Sequence, residues 1–216
     1  MVEEKVPINT QNNPLQRGLT IILDDYVVSR SHQTLNSGHY LWRMARKLQN
    51  KFESLSSVKR RPNLIVRSLG QGGWARIPWL ALLDQRETKV TSSGVYVIYL
   101  FRQDMSGVYL TLNQGFTKEK ELRGLKDSRQ FIHQRAVAFR HLCEGLVSSG
   151  FSLNDDIDLR SDCSPGLDYQ LGTITHKFYA AANIPGDVIL VDDLEHILQV
   201  YDAFLLEKLR GSVSLS

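Results

Sequence analysis

Apolar residues recur at steps of three and four through Leu15, Leu19, Ile22, Leu23, Tyr26 and Val27, which predicts an amphipathic helix over 14–29 opened by Asn13-Pro14. Leu41, Met44, Ala45, Leu48, Phe52 and Leu55 repeat the pattern over 39–55, with Arg43, Arg46, Lys47, Asn50 and Lys51 on the opposite face. Four strands follow, Asn63–Ser68, Ala75–Leu83, Gly94–Phe101 and Gly107–Asn113, and their short connections favour antiparallel pairing. Pro78 has no N–H for a ladder, so its strand is expected at an edge, bulged or broken there. Helical periodicity returns from Lys118 to Val147 and stops at Gly150. An acidic, turn-rich stretch over 151–172 leads to a short strand at Thr173–Ala180, a turn at Asn183–Gly186, and a last helix from Asp192 to about Leu209, capped by Asp192 or Asp193. The expected class is α+β: a central mixed, largely antiparallel sheet flanked by helices at both ends of the chain. One domain over 14–209 is expected between flexible segments 1–13 and 210–216.

Composition narrows the class little, since 216 residues at 42% hydrophobic can bury a substantial core. No run of about 18 apolar residues is present, and the start MVEEKVPINTQNN lacks the basic patch and apolar block of a signal peptide. A cytoplasmic protein with no membrane partner is therefore expected. Cys143 and Cys163 lack the spacing of a zinc or redox pair and read as reduced bystanders.

Charge is distributed unevenly. Residues 40–76 carry Arg43, Arg46, Lys47, Lys51, Lys59, Arg60, Arg61, Arg67 and Arg76 against Glu53 alone, a local +8. Residues 117–140 add a local +4, and residues 153–202 reach −8 with ten acids against Arg160 and Lys177. Such polarity suggests one face for a polyanion and another that avoids it.

Catalytic signatures are missing. No phosphate-cradling G-x-x-x-x-G-K-[ST] run exists, and Gly70-Gln71-Gly72-Gly73 is followed by Trp-Ala-Arg-Ile-Pro-Trp, a poor start for the helix that a dinucleotide loop must open. Glu87-Thr88-Lys89 fits half of a metal-dependent nuclease motif, but no acid lies between Glu53 and Asp84, so an exposed charged turn is the expected reading. The histidines lack ligand spacing on one helical face. No catalytic residue, metal or cofactor is expected.

The stretch over 68–115 is unusual for a plain core. Trp74, Trp79, Tyr96, Tyr99 and Tyr109 flank a glycine-rich loop with Arg67 and Arg76 on either side. Glycines allow close approach, aromatic faces can stack on a base, and arginines meet phosphates. Alternation puts Tyr96, Ile98 and Leu100 on one strand face and Val95, Val97, Tyr99 and Phe101 on the other.

The ordered series SLGQGGWARIPWLALLD, GVYVIYLF, GVYLTLNQG and HKFYAAANIPGD resembles the McrB-type N-terminal DNA-binding domain of modification-dependent (type IV) restriction systems, from about Leu15 to Leu209. That resemblance implies recognition of double-stranded DNA carrying a modified cytosine, 5-methylcytosine or a relative, swung out of the helix into a pocket. It implies Trp79, Tyr96 and Leu100 as pocket walls. Gln71, Gly72, Gly73 and Trp74 would form the loop at the gap, with Gln71 or Trp74 as wedge where the family pattern has a tyrosine at position 71. Arg60, Arg61, Arg67 and Arg76 would meet the backbone, and a restriction motor or nuclease, as another domain or subunit, would be the partner. Two alternatives remain from the residues themselves: a small metal-dependent nuclease using Glu87, and a protein-interaction domain using the acidic 153–202 stretch.

Overall fold

The computed structural model describes residues 13–210, so the segments expected to be flexible lie, apart from Asn13 and Arg210, outside the described residues. Helices α1 (Pro14–His32), α2 (Tyr40–Ser54) and the short α3 (Ser56–Lys59) precede strands β1 (Asn63–Ser68), β2 (Trp79–Asp84), β3 (Val95–Phe101) and β4 (Gly107–Gln114). After α4 (Thr117–Phe139) and a 3₁₀ segment (Arg140–Ser149) come α5 (Ser164–Gly172), β5 (Thr175–Ala180) and α6 (Asp187–Leu209). The strands form one sheet in the order β1-β2-β3-β4-β5, and every pairing is antiparallel, so the mixed character expected of the sheet is absent.

Pro78 explains why the strand predicted over Ala75–Leu83 is cut back to Trp79–Asp84. β2 begins only after it, yet β2 lies inside the sheet between β1 and β3, because the proline precedes the ladder and offers its carbonyl to the Phe101 N–H at 3.1 Å. The long predicted helix after β4 is interrupted at Gly124 (φ 78°, ψ 172°) and tightens into 3₁₀ geometry before the left-handed Gly150 ends it, as expected.

Leu80, Leu82, Val97, Tyr99, Leu110 and Leu112 point to one sheet face, where α1, α2 and α6 cover them with Leu19, Tyr26, Leu48, Phe52, Leu194, Ile197 and Tyr201. The opposite face gathers Ala81, Leu83, Tyr96, Ile98, Leu100 and Tyr109 under Ile157 and Leu159. The acidic 151–172 stretch thus supplies the cover of a second core. Its apolar Ile157 and Leu159 alternate with exposed or half-buried polar residues, which is why it read as a turn-rich loop.

The last helix starts at Asp187, earlier than expected, so Asp192 and Asp193 are not its caps. Asp193 is buried, accepting from Lys177 Nζ at 2.6 Å and from the Tyr179 hydroxyl at 2.9 Å. Capping runs between helices instead. The Asp187 carboxylate accepts from the Leu15 and Gln16 N–H groups at the start of α1, while Asn13 Oδ1 accepts from Asp187 N at 3.0 Å. No helix among the described residues is long and apolar enough to cross a membrane.

Candidate nucleic-acid interface

Register pairs Ser68 with Trp79, so residues 69–78 leave and rejoin the sheet at one end. The loop closes on itself where the Ala75 N–H meets the Leu69 carbonyl at 2.7 Å. Buried Tyr26 of α1 locks that closure, its hydroxyl 2.7 Å from Leu69 O and 2.9 Å from Ala75 O. Burial pushes this hydroxyl's pKa well above the usual phenol value, so it remains a donor. Gly70 is required by the turn: φ is +133°, and a Cβ there would stand 1.8 Å from the Gly73 carbonyl oxygen. Trp74 is fastened to the helices, edge-on to Tyr26 and His39 at 5.1 and 4.9 Å between centroids, with Nε1 donating to Gln33 O at 2.7 Å. Gln71, Gly72 and Gly73 are the exposed tip.

The resemblance-derived pocket residues share one sheet face. Trp79 and Leu100 are direct cross-strand partners, and Tyr96 stands on the same face of β3, about 13 Å farther along the strand. Tyr96 and Leu100 are buried, Leu100 entirely, whereas Trp79 is half-buried. Beside Trp79 the sheet face opens over β1, where Leu64 is exposed and Val66 and Ser68 are half-buried. Tyr169 of α5 packs against the same cluster, and burial raises its hydroxyl to about 12 despite an opposing hydrogen bond with Trp79. With Tyr96, Gln114, Lys120 and Asp168 it also lines a cavity of about 230 Å³, toward which the Tyr96 ring extends to donate to Thr91 O at 2.9 Å. The cover over Leu100 is held by the Gln103 N–H on Leu159 O at 2.9 Å and Arg102 Nε on Asp158 O at 2.8 Å. Arg160, within it, has the left-handed φ of 51°.

The cations differ from expectation. Arg60 pairs with Glu195, Arg61 with Glu195 and Asp202, and Arg76 with Asp162. The Arg61 side chain is only 6% exposed. Asp162 is held below the usual carboxylate range, first by a hydrogen bond from Gln103 and then by the charge of Arg76. Arg67 turns toward α2, its guanidinium 4.9 Å over the Trp42 ring and hydrogen-bonded to Gln49. The expected separation of a basic from an acidic face therefore fails at these positions, because the two stretches fold against one another. Arg60 and Arg61 also precede Asn63, at the opposite end of the sheet from the loop. Exposed Arg43, Arg46 and Lys47 on α2 form no ion pair with a described residue. The sequence put them on the basic face of the second helix without a role of their own, and Tyr26 among the apolar positions of the first.

Glu87 is not in an exposed turn. Its side chain is 1% exposed, one oxygen accepting from the Val95 N–H at 3.2 Å and the other from Lys208 Nζ at 2.5 Å. Both oxygens are thus occupied by the protein. Asp192, Asp193 and His196 bring possible ligand atoms within 4.8 Å of one another, but Asp193 is already committed to Lys177 and Tyr179.

Residues 21–205 match the sequence profile of the MrcB-like N-terminal domain. The chain belongs to this family, whose members are DNA-binding domains of type IV restriction systems. No curated protein and no solved structure matches it.

Proposed function

We propose that this domain selects duplex DNA by a modified cytosine, 5-methylcytosine or a relative, extruded from the stack, and that it passes this choice to a motor or nuclease on another domain or subunit of a cytoplasmic antiphage restriction system. In this reading it has no catalytic role of its own. The observation that carries it is the adjacency of an exposed, rigidly rooted loop tip and half-buried Trp79 at one sheet end, with Leu100 directly across from the tryptophan. A wedge and a stacking wall must be neighbours if one nucleotide is to leave the helix and be read, and the unstacking cost of a few kcal/mol must be offset there. Trp74 is held by Tyr26, His39 and Gln33, so the wedge is Gln71, whose amide can hydrogen-bond the orphaned base. The extruded base stacks first on Trp79, beside the open floor of Val66 and Ser68. Contact with Leu100 and Tyr96 then requires the Ile157–Leu159 cover to yield.

Equilibrium binding to methylated, hydroxymethylated and plain duplexes at one salt concentration tests the reading. Preference for a modified duplex, erased by Trp79→Ala with the fold intact, supports it. Equal affinities for all three would sink it.

A further inference from the structure

We propose that α2 is the phosphate-tracking element of this domain, with Arg43, Arg46 and Lys47 as its contacts. This rests on the DNA-binding reading and reassigns the backbone contacts that sequence alone put on Arg60, Arg61, Arg67 and Arg76. Those four are engaged by Glu195, Asp202, Asp162, and Trp42 with Gln49. A carboxylate beside Arg60, Arg61 and Arg76 offsets part of the charge that a phosphate would meet there, and Arg67 is turned onto α2.

Arg43, Arg46 and Lys47 are different. All three are exposed, and none forms an ion pair with a described residue; Arg43 donates only to the Gly38 carbonyl. Their helix also begins at the loop: His39, which caps α2 through its ring nitrogen on the Leu41 N–H, is edge-on to Trp74 with centroids 4.9 Å apart. From that contact the three cations lie roughly 6, 10 and 12 Å along the helix axis. A strand of duplex presents a phosphate about every 3.4 Å of its axis, so a duplex seated on the loop tip has several phosphates within this span. Leu41, Ala45, Leu48 and Phe52 anchor the other face of α2 in the core, so the helix presents its charges from a fixed position.

Other exposed lysines lack this placement. Lys59 precedes the start of β1, Lys89 lies in the turn between β2 and β3, and Lys118 donates its N–H to Ser92 O beyond the end of β4. All three are at the sheet end away from the loop.

Fluorescence anisotropy on an unmodified duplex, titrated across salt concentrations, measures the number of phosphates neutralised. Replacing Arg43, Arg46 and Lys47 together by glutamine should lower the slope of log K against log salt by roughly 2 to 3, at about 0.9 per contact. The same change at Lys59, Lys89 and Lys118 should leave it unaltered. The ratio of affinities for modified and plain duplex should persist in the α2 variant while Trp79→Ala removes it. A slope insensitive to the α2 changes, or one that falls equally with the distant lysines, overturns the proposal while leaving base recognition standing. Absence of any salt-dependent DNA binding in the parent chain overturns both. Thermal melting of each variant guards against a fold defect.

Discussion

The Tyr26 hydroxyl lies 2.7 Å from the carbonyl oxygen of Leu69, joining the first helix to the root of a loop more than forty positions away in the chain. Because the same hydroxyl is 2.9 Å from Ala75 O, it sits where the loop leaves and where it returns. Tyr26→Phe keeps the ring against Trp74 and removes only this link. We expect a loss of about 1 kcal/mol of stability in denaturant titration, together with faster hydrogen exchange at the Ala75 amide. Unchanged exchange there would show that the loop holds itself.

Glycine positions in the loop should separate by geometry. Gly70→Ala forces a Cβ to within 1.8 Å of Gly73 O at a φ of +133°, so the loop must rebuild. Gly73→Ala meets nothing within 4 Å. We expect Gly70→Ala to weaken DNA binding at least tenfold and Gly73→Ala to stay near the parent value, as read by equilibrium titration.

Glu87 and Lys208 form a structural pair, with one carboxylate oxygen on Lys208 Nζ at 2.5 Å and the other on the Val95 N–H. Glu87→Ala should cost about 1 to 2 kcal/mol, because the Val95 N–H loses its acceptor, while Lys208, a third exposed, can turn to water. Chemical denaturation measures this. If Glu87 served a nuclease, the variant would instead stay stable and lose Mg²⁺-dependent cleavage.

Acid should weaken the fold through His176. The ring is 5% exposed and edge-on to Tyr109, and burial holds its pKa below the ordinary value, with the charge of Arg140 acting the same way and Asp156 opposing. The folded state therefore resists a proton that the unfolded chain accepts near pH 6.5. Stability from this group is complete above that pH and declines as pH falls below it. His39, also held low by burial, acts in the same direction. Melting temperature should drop between pH 7 and 5, and His176→Gln should flatten part of that slope; a parallel profile would remove His176 as a source.

Local pattern was enough for much of the architecture. α2 begins at Tyr40 where apolar spacing turns helical, β3 and β4 emerge within one residue of their predicted bounds, and Gly150 stops its helix in the left-handed conformation. These features depend on a residue and its near neighbours, through the periods of helix and strand and through what proline and glycine permit. Period-two alternation likewise put Tyr96 and Leu100 on one face. The sequence by itself determined those elements, the faces of their strands, and family membership through the order of its motifs.

Only the tertiary structure decided which side chains are free to act. Arg60, Arg61 and Arg76 looked as available as Arg43 and Arg46 until α6 and the 151–172 stretch brought Glu195, Asp202 and Asp162 beside them. Trp74 looked as ready a wedge as Gln71 until Tyr26 and His39 took hold of its ring. Trp79, named a pocket wall by the resemblance alone, gained a defined neighbour when β3 set Leu100 directly across from it. Pairings of this kind join residues far apart in the chain, and their energies depend on burial and distance, which no spacing rule along the backbone contains.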